Sequence, residues 1–511
     1  MIDPLPIGWV RAPLGMLGEW SGGGTPSKAQ PDYWHNGTVP WVSPKDMKQI
    51  VLDASQDHIT DLACAESSAR LMPPGSIAFV VRSGILNHTL PIALVPFEAA
   101  YNQDMRVLTP CSELNARWLL WALVGASEDI RRSCRKDGVT VASIDSQGLQ
   151  AFELAIPPRS EQDRIVTKIE AILSDCEAGT KDLAKADDGL DLLRVSILAA
   201  AITGRLAPQL SSEETAPELR DRVLRDRRTA WETQQVAAMS AKGRRPRDDR
   251  WKARYKEPMS PVPESHDFPL PLGWTWATVD ELAVLVQYGT STKTNDDASG
   301  VPIIRMGNLV EGDLVLDTLK YLPPDHDEFP DLHLHNGDVL FNRTNSPELV
   351  GKAAVFRGQL TPCSYASYLI RVRLHADIRP EFLVYFLTSP YGRQWIRSVV
   401  SQQVGQANVN GTKLRALTVP LPPAEEQRRI CDAVEVWLRR ADELGTGLAA
   451  TEFQASVLRR SVLRSAAAGG LVPRESVGES AAELLAKLQS ERVSRKARVR
   501  KLRAVPSEGY S

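Results

Sequence analysis

Side chains able to fork hydrogen bonds collect in short runs along two stretches of this 511-residue chain. In the first stretch they are Thr25, Ser27 and Lys28, Ser43, Lys45 and Asp46, Arg82 and His88, Asn102, Gln103 and Asp104, and Lys136 with Thr140. In the second they are Thr290, Ser291 and Lys293, Arg305 and Asn308, Arg343, Thr344 and Asn345, and Gln406, Asn408 and Asn410. Arg pairs with a guanine edge and Asn or Gln with an adenine edge, while Lys, Ser and Thr also serve, so these sets point to direct readout of a duplex. Arg343-Thr344-Asn345-Ser346, just after the strand-like DVLFN, leads the candidates. Each residue has a competing local role, because Asn, Ser and Asp at strand ends serve turns and caps. Trp34 and Trp41, or Tyr365 and Tyr368, suit either a distorted duplex or core packing.

Catalytic sets do not accompany them. The histidines show no HxxxH pair, and Cys64, Cys111, Cys134, Cys176, Cys363 and Cys431 never form CxxC, so neither a metal site nor a disulfide framework is expected. The prolines at 73–74, 157–158, 323–324 and 422–423 lack the Asp/Asn-Pro-Pro-Tyr/Phe context of an adenine methyltransferase, and no GxxxxGK[ST] phosphate loop occurs. A non-catalytic binding protein is expected. The start MIDPLPIGWVRAPLG has no basic or apolar targeting region, and no run of about 18 apolar residues follows, so a cytoplasmic chain without a membrane partner is expected.

The elements that must hold the candidate residues repeat. Leu5-Pro6-Ile7-Gly8-Trp9 returns as Leu270-Pro271-Leu272-Gly273-Trp274, an offset of 273 minus 8, or 265. The same offset carries Pro157-Pro158 to Pro422-Pro423, Glu161-Gln162 to Glu426-Gln427, Leu193-Arg194 to Leu458-Arg459, Gly204 to Gly469 and Pro208 to Pro473. Chance would not hold one offset over some 200 residues. Between Gly-Trp and Pro-Pro the copies share almost nothing. The module boundaries were kept while the interiors drifted.

After each Pro-Pro runs a heptad pattern. Its a positions are Ile165, Ile172, Gly179, Ala186, Leu193 and Ala200, and its d positions Ile169, Cys176, Leu183, Leu190 and Ile197. In the second copy the a positions are Ile430, Trp437, Leu444, Thr451 and Leu458, and the d positions Val434, Ala441, Leu448, Ala455 and Val462. Two such seams in one chain can pair with each other; the competing arrangement is a globular bundle. From Arg159 to Gly204 the rod would measure roughly 70 Å. The segments before the helices alternate short apolar runs such as SIAFVV, VPIIRM and YLIRVRL with turn residues, and read as mixed α/β globules. Net charge is only −2, yet residues 219–256 carry thirteen Lys or Arg against five Asp or Glu, and residues 487–503 carry eight against one. Such arms suit phosphates or an acidic protein partner equally.

The ordered set EQDRIVTKIEAIL with LRVSILAAAITGRLAPQ, repeated as EEQRRICDAVEVWL with VLRRSVLRSAAAGGLVP, resembles the conserved helical regions of the specificity (S) subunit of type I restriction-modification enzymes. GGGTPSKAQPDYW and GDVLFNRTNSPELVGKAAVF resemble recognition-domain segments of that family, and KGRRPRDDRWKARYKEP resembles its linker. The resemblance implies an α/β (mixed α+β) fold: two globular target-recognition domains separated by two long antiparallel coiled-coil helices, a pseudo-two-fold tandem repeat. It divides the chain into recognition domains at 1–158 and 266–423, helices at 159–210 and 424–473, a basic arm at 211–265 and a basic tail at 474–511. It also implies double-stranded DNA, two methyltransferase (M) subunits and restriction (R) subunits as partners. S-adenosylmethionine would sit in the M subunit, and ATP with magnesium in the R subunit, with no cofactor on this chain. The divergent interiors lead us to expect a bipartite, asymmetric target. A stand-alone architectural DNA-binding protein and a protein-binding scaffold are the alternatives.

Overall fold

The computed structural model describes residues 5–136, 141–209, 214–244, 246, 248–262, 268–346, 349–403, 406–473 and 480–490. Contacts divide the chain into two compact units, Met1–Ala184 with Ala449–Ser511 and Lys185–Leu448. The units do not follow the sequential blocks expected above. Each combines one globule, the beginning of the long helix that follows it and the end of the other long helix.

Within each unit a central strand is buried on both faces: Ser76–Val80 in the first, Asp338–Asn342 in the second. Continuous burial makes these runs wholly apolar or hydrogen-bonded instead of alternating. The antiparallel sheet around the first runs Gly18–Gly22, Met105–Pro110, Ser76–Val80, Ile92–Val95. Around the second it runs Ala283–Tyr288, Leu369–Leu374, Asp338–Asn342, Ala353–Phe356. A smaller sheet also recurs. Val39–Val42 pairs antiparallel with Asp57–Ile59 and parallel with Ala100–Tyr101. Val301–Ile304 pairs in the same two senses with Lys320–Leu322 and Ser364–Tyr365. Interiors that share almost no sequence thus keep one topology. Helices Ala116–Gly125 and Pro380–Thr388 cover corresponding faces, packing on Ile92–Val95 and Ala353–Phe356.

The long helices are Arg159–Ile202 and Ala424–Ala467, each of 44 residues. In the first unit Ile165, Ile169 and Leu173 share a core with Val462, Leu463 and Ala466, and Glu177 meets Arg459 at 3.8 Å. In the second Ile197, Leu198 and Ile202 share a core with Ile430 and Val434, and Arg194 meets Asp442 at 2.9 Å. Within each unit the helices therefore run antiparallel. The expected d residues line this contact: Ile169, Leu190, Ile197, Val434 and Val462 are buried, and Leu183 and Leu448 half-buried. The a row departs from expectation. Ile165 and Ile430 are buried and Ile172 is half-buried, but Leu193, Trp437 and Leu458 face solvent at 37%, 43% and 49% exposure. A straight helix drifts about 20° per heptad against a strict seven-residue repeat, so one row meets the neighbouring helix while the other turns outward.

Both helices stop at a glycine in the left-handed region, Gly204 at φ +69° and Gly469 at φ +70°. A Cβ on Gly204 would lie 2.5 Å from Pro271 Cγ and 3.1 Å from Trp274 Cζ2. On Gly469 it would lie 2.6 Å from Pro6 Cγ and 3.2 Å from Trp9 Cζ2. Each helix end is thus seated on the Gly-Trp motif that opens its unit's globule. The chain then turns into a further helix in both units, and the offset of 265 persists. Ala216 N donates to Gly273 O at 3.0 Å, and Ala481 N to Gly8 O at 3.4 Å. Glu218 accepts from Thr215 N, and Glu483 from Ser480 N, both at 2.8 Å. Leu219 and Val223, like Leu484 and Leu488, enter the core.

The shared Glu-Gln pair is a clamp. Gln162 Nε2 donates to Pro157 O at 3.0 Å while its Oε1 accepts from Asn115 N at 2.9 Å. Gln427 repeats this with Pro422 O at 3.0 Å and Arg379 N at 2.9 Å. We expect Gly204→Ala and Gly469→Ala each to destabilise the fold by about 1–3 kcal/mol, from the left-handed backbone and the proline overlap. Gly447→Ala, where an added Cβ meets nothing within 4 Å, should not. Thermal unfolding of the three variants checks this. Gln427→Leu should cost about 1–3 kcal/mol by leaving the buried Pro422 carbonyl, and with it the Arg379 N–H, without a partner, measured in the same way.

Candidate nucleic-acid interface

The leading candidates lie where the central strand of the second unit runs on into a small sheet. Thr344–Asn345 pairs with Gln406–Asn408, which pairs with Ser401–Gln403. Thr344 stands opposite Asn408, and Asn408 opposite Ser401. The residue before Thr344, Arg343, is held by two other groups: its Nε donates to Ser367 O at 2.9 Å, and its guanidinium lies 4.9 Å from the centre of the Tyr288 ring. Tyr288 is itself fixed, accepting at its hydroxyl from Gly411 N at 2.6 Å. Stacking orients a guanidinium and leaves its in-plane donors for a ligand. No carboxylate pairs with Arg343 among the described residues.

Alongside is a cleft of about 500 Å³ lined by Arg305, Met306, Asn345, Lys352 and Tyr368. Among the described residues, Thr344 Oγ1 and Asn408 Oδ1 are buried without a hydrogen-bond partner.

The first unit builds the same corner from other residues. Arg82 stands opposite Ser143, and Ser143 opposite Lys136. Ile144 N donates to Val81 O at 2.8 Å, as Val409 N does to Arg343 O at 2.9 Å. Lys136 lies 3.2 Å from Asp145, whose carboxyl is held below the usual range by the Gly148 N–H and then by Lys136. Arg82, Ser143 and Lys136 therefore occupy the positions of Thr344, Asn408 and Ser401.

Several candidates belong to the scaffold instead. Asp46 is buried and accepts from Ser43 N, Ser43 Oγ and Gln56 N at 2.8–2.9 Å. Thr290 is buried and accepts from Thr292 N, and Asn410 caps the helix Gly411–Ala416 through Lys413 N. Asn308 is buried, accepting from Arg305 N and donating to Val315 O. Asn102 accepts from Asp104 N at 2.8 Å and reaches Thr25 Oγ1 at 3.4 Å. These are the turn and cap roles that short polar side chains take up. Trp41 and Tyr365 are core residues. Ser27, Lys28, Arg82, His88, Gln103 and Lys293 are exposed, and exposed Lys45 pairs with Asp57 at 2.6 Å. Arg305 donates to Thr318 O at 3.3 Å, and Asn345 Nδ2 reaches Met306 Sδ at 3.6 Å. Thr140 lies outside the described residues, and Gln406 is described by its backbone alone. Order along the chain does not mark Tyr288, Lys352 or Ser143; only tertiary pairing brings them beside the candidates.

The basic arm is partly spent inside the chain. On helix Ala216–Ala241, Arg220 pairs with Glu281, Arg222 with Glu214 and Asp377, and Arg227 with Asp280. Trp231 stacks on Trp251 at 5.8 Å and meets Tyr255 at 5.3 Å, folding the arm back upon itself. Among the described residues no group of three or more His, Cys, Asp or Glu could hold a metal, and no helix is long and apolar enough to cross a membrane.

The sequence profile of the type I restriction modification DNA specificity domain matches residues 6–186 and 271–450. The specificity subunit of the Escherichia coli enzyme EcoR124I/EcoR124II is 45% identical over 153 residues, a span of 30% of this chain and 38% of that relative. The EcoKI specificity subunit of Escherichia coli strain K12 is 23% identical over 503 residues, covering 96% of this chain and 97% of its own. Two solved structures share the fold. One, from work on complex assembly and conformational transition of the type I R-M system, has a TM-score of 0.62 at 17% identity, over 92% of this chain and all (100%) of its own. The other, the HsdS subunit of Thermoanaerobacter tengcongensis, has a TM-score of 0.54 at 19% identity, over 92% and 99%. The profile matches begin 271 minus 6, or 265, residues apart, the offset of the repeat itself, and cover most of the chain. This chain belongs to the family of type I restriction-modification specificity subunits, with two DNA-specificity domains.

Proposed function

We propose that the chain reads a bipartite, asymmetric duplex target through its two recognition domains, catalyses nothing itself, and assembles with two M subunits and with R subunits. The observation that carries the reading is the pair of equivalent corners. One frame places Arg82 and Ser143 where the other places Thr344 and Asn408. Equal frames with unequal side chains suit two half-sites of different sequence, since base edges are distinguished by donor and acceptor patterns. The scaffolding role is supported by apolar side chains that the helices leave uncovered: Leu193, Trp437 and Leu444 in one unit, Phe453 and Leu458 in the other. Such faces suit protein partners. S-adenosylmethionine, ATP and magnesium then belong to those partners.

Replacing residues 1–158 with the corresponding domain of another family member should change one half of the recognised sequence and leave the other half intact. Mapping N6-methyladenine genome-wide in cells carrying either form reads the outcome; a simultaneous change in both halves would refute modular reading. The chain should also co-purify with an adenine methyltransferase subunit, at two copies per chain by native mass measurement.

A further inference from the structure

The strand position that Arg343 holds is taken in the first unit by a buried valine, Val81. The sheet geometry supplies an arginine from a different strand. One rung of the first large sheet runs Gly22, Arg106, Phe79, Ile92. The same rung of the second runs Tyr288, Ile370, Phe341, Ala353. A register shift between Ala283 and Leu285 brings Tyr288 to the place of Gly22. In the second unit Tyr288 carries the Arg343 guanidinium on its ring. In the first, the bare Gly22 leaves that space to Arg106, whose Nη1 and Cζ lie 3.2 Å and 3.6 Å from where a Cβ would stand.

Side chains alternate across a strand, so Arg106, paired with Phe79, shares the sheet face of Phe79, as Arg343 shares that of Phe341. The core clusters agree: Phe79 and Leu108 belong to one cluster, Met105 and Val107 to the other. Arg106 is half-buried, donates through Nη1 to Met105 O at 3.1 Å, and is paired with no carboxylate among the described residues. A guanidinium so placed keeps donors for an acceptor pair such as the O6 and N7 of guanine.

We infer that Arg106 is a base-reading residue of the first recognition domain and the spatial counterpart of Arg343, each unit setting a guanidinium over the equivalent rung of its large sheet from a different strand. This rests on the DNA-reading function proposed above. The test uses the full-length chain with its co-purifying subunits, wild type and Arg106→Ala, Arg106→Lys and Arg343→Ala variants, assayed on duplexes that vary each target position in turn. Arg106→Ala should relax discrimination at one position of a single half-site by about tenfold to a hundredfold. Arg343→Ala should do so in the other half-site. Arg106→Lys keeps the charge but not the fork, so it should retain affinity for the duplex without restoring discrimination. Uniform weakening on every duplex marks a backbone contact and overturns the inference, as does unchanged discrimination in a variant that melts like wild type. A wild-type complex that shows no bipartite preference would instead sink the functional reading itself.

Discussion

A tryptophan seated against a left-handed glycine holds each unit together. Trp9 lies beneath Gly469 and Trp274 beneath Gly204, so the end of each long helix closes on a globule far from it in sequence. Neither partner can be exchanged freely. The glycine must reach positive φ, which strains any residue with a Cβ, and a side chain there would overlap Pro6 or Pro271. The buried glutamine beside it ties the helix start to the same globule through main-chain groups that side-chain drift does not alter. This explains why the matching residues at the module boundaries, Gly-Trp, Pro-Pro, Glu-Gln and the terminal Gly, have held through the duplication.

Inside that frame, selection for shape and selection for surface have separated. Central strands Ser76–Val80 and Asp338–Asn342 differ in sequence, yet both are buried throughout and carry the same neighbours in the same order. Any apolar residues of suitable volume satisfy such a strand, so the sequences diverge while the topology stays. At the corner beyond these strands the requirement reverses. There the backbone pairing is equivalent, but arginine or threonine, serine or asparagine stand at matching positions. A reading surface is useful when these differ.

Charge shows the same economy. The cationic stretch after the first long helix looks like a polyanion-binding arm when counted along the chain. In space Arg220, Arg222 and Arg227 meet Glu281, Asp377 and Asp280, which sets part of the arm against its own recognition domain. Counting cations cannot distinguish these uses, because a salt bridge and a phosphate contact call for the same residue.

The sequence by itself determined the duplication, its 265-residue offset, the two long helices, the principal strands and the family, since periodicity and motif spacing are properties of order along the chain. It also pointed to Arg343 and Thr344, and to Arg82 and Lys136 in the other copy. Tertiary structure decided which polar residues were taken up internally, as Asp46, Thr290, Asn308 and Asn410 are by neighbouring N–H groups. It decided which heptad row met the neighbouring helix, turning Leu193, Trp437 and Leu458 outward. It alone set Arg106 in the place of Arg343, because strand register is fixed by hydrogen bonds between distant segments and a one-residue shift redirects side chains without leaving a mark in composition.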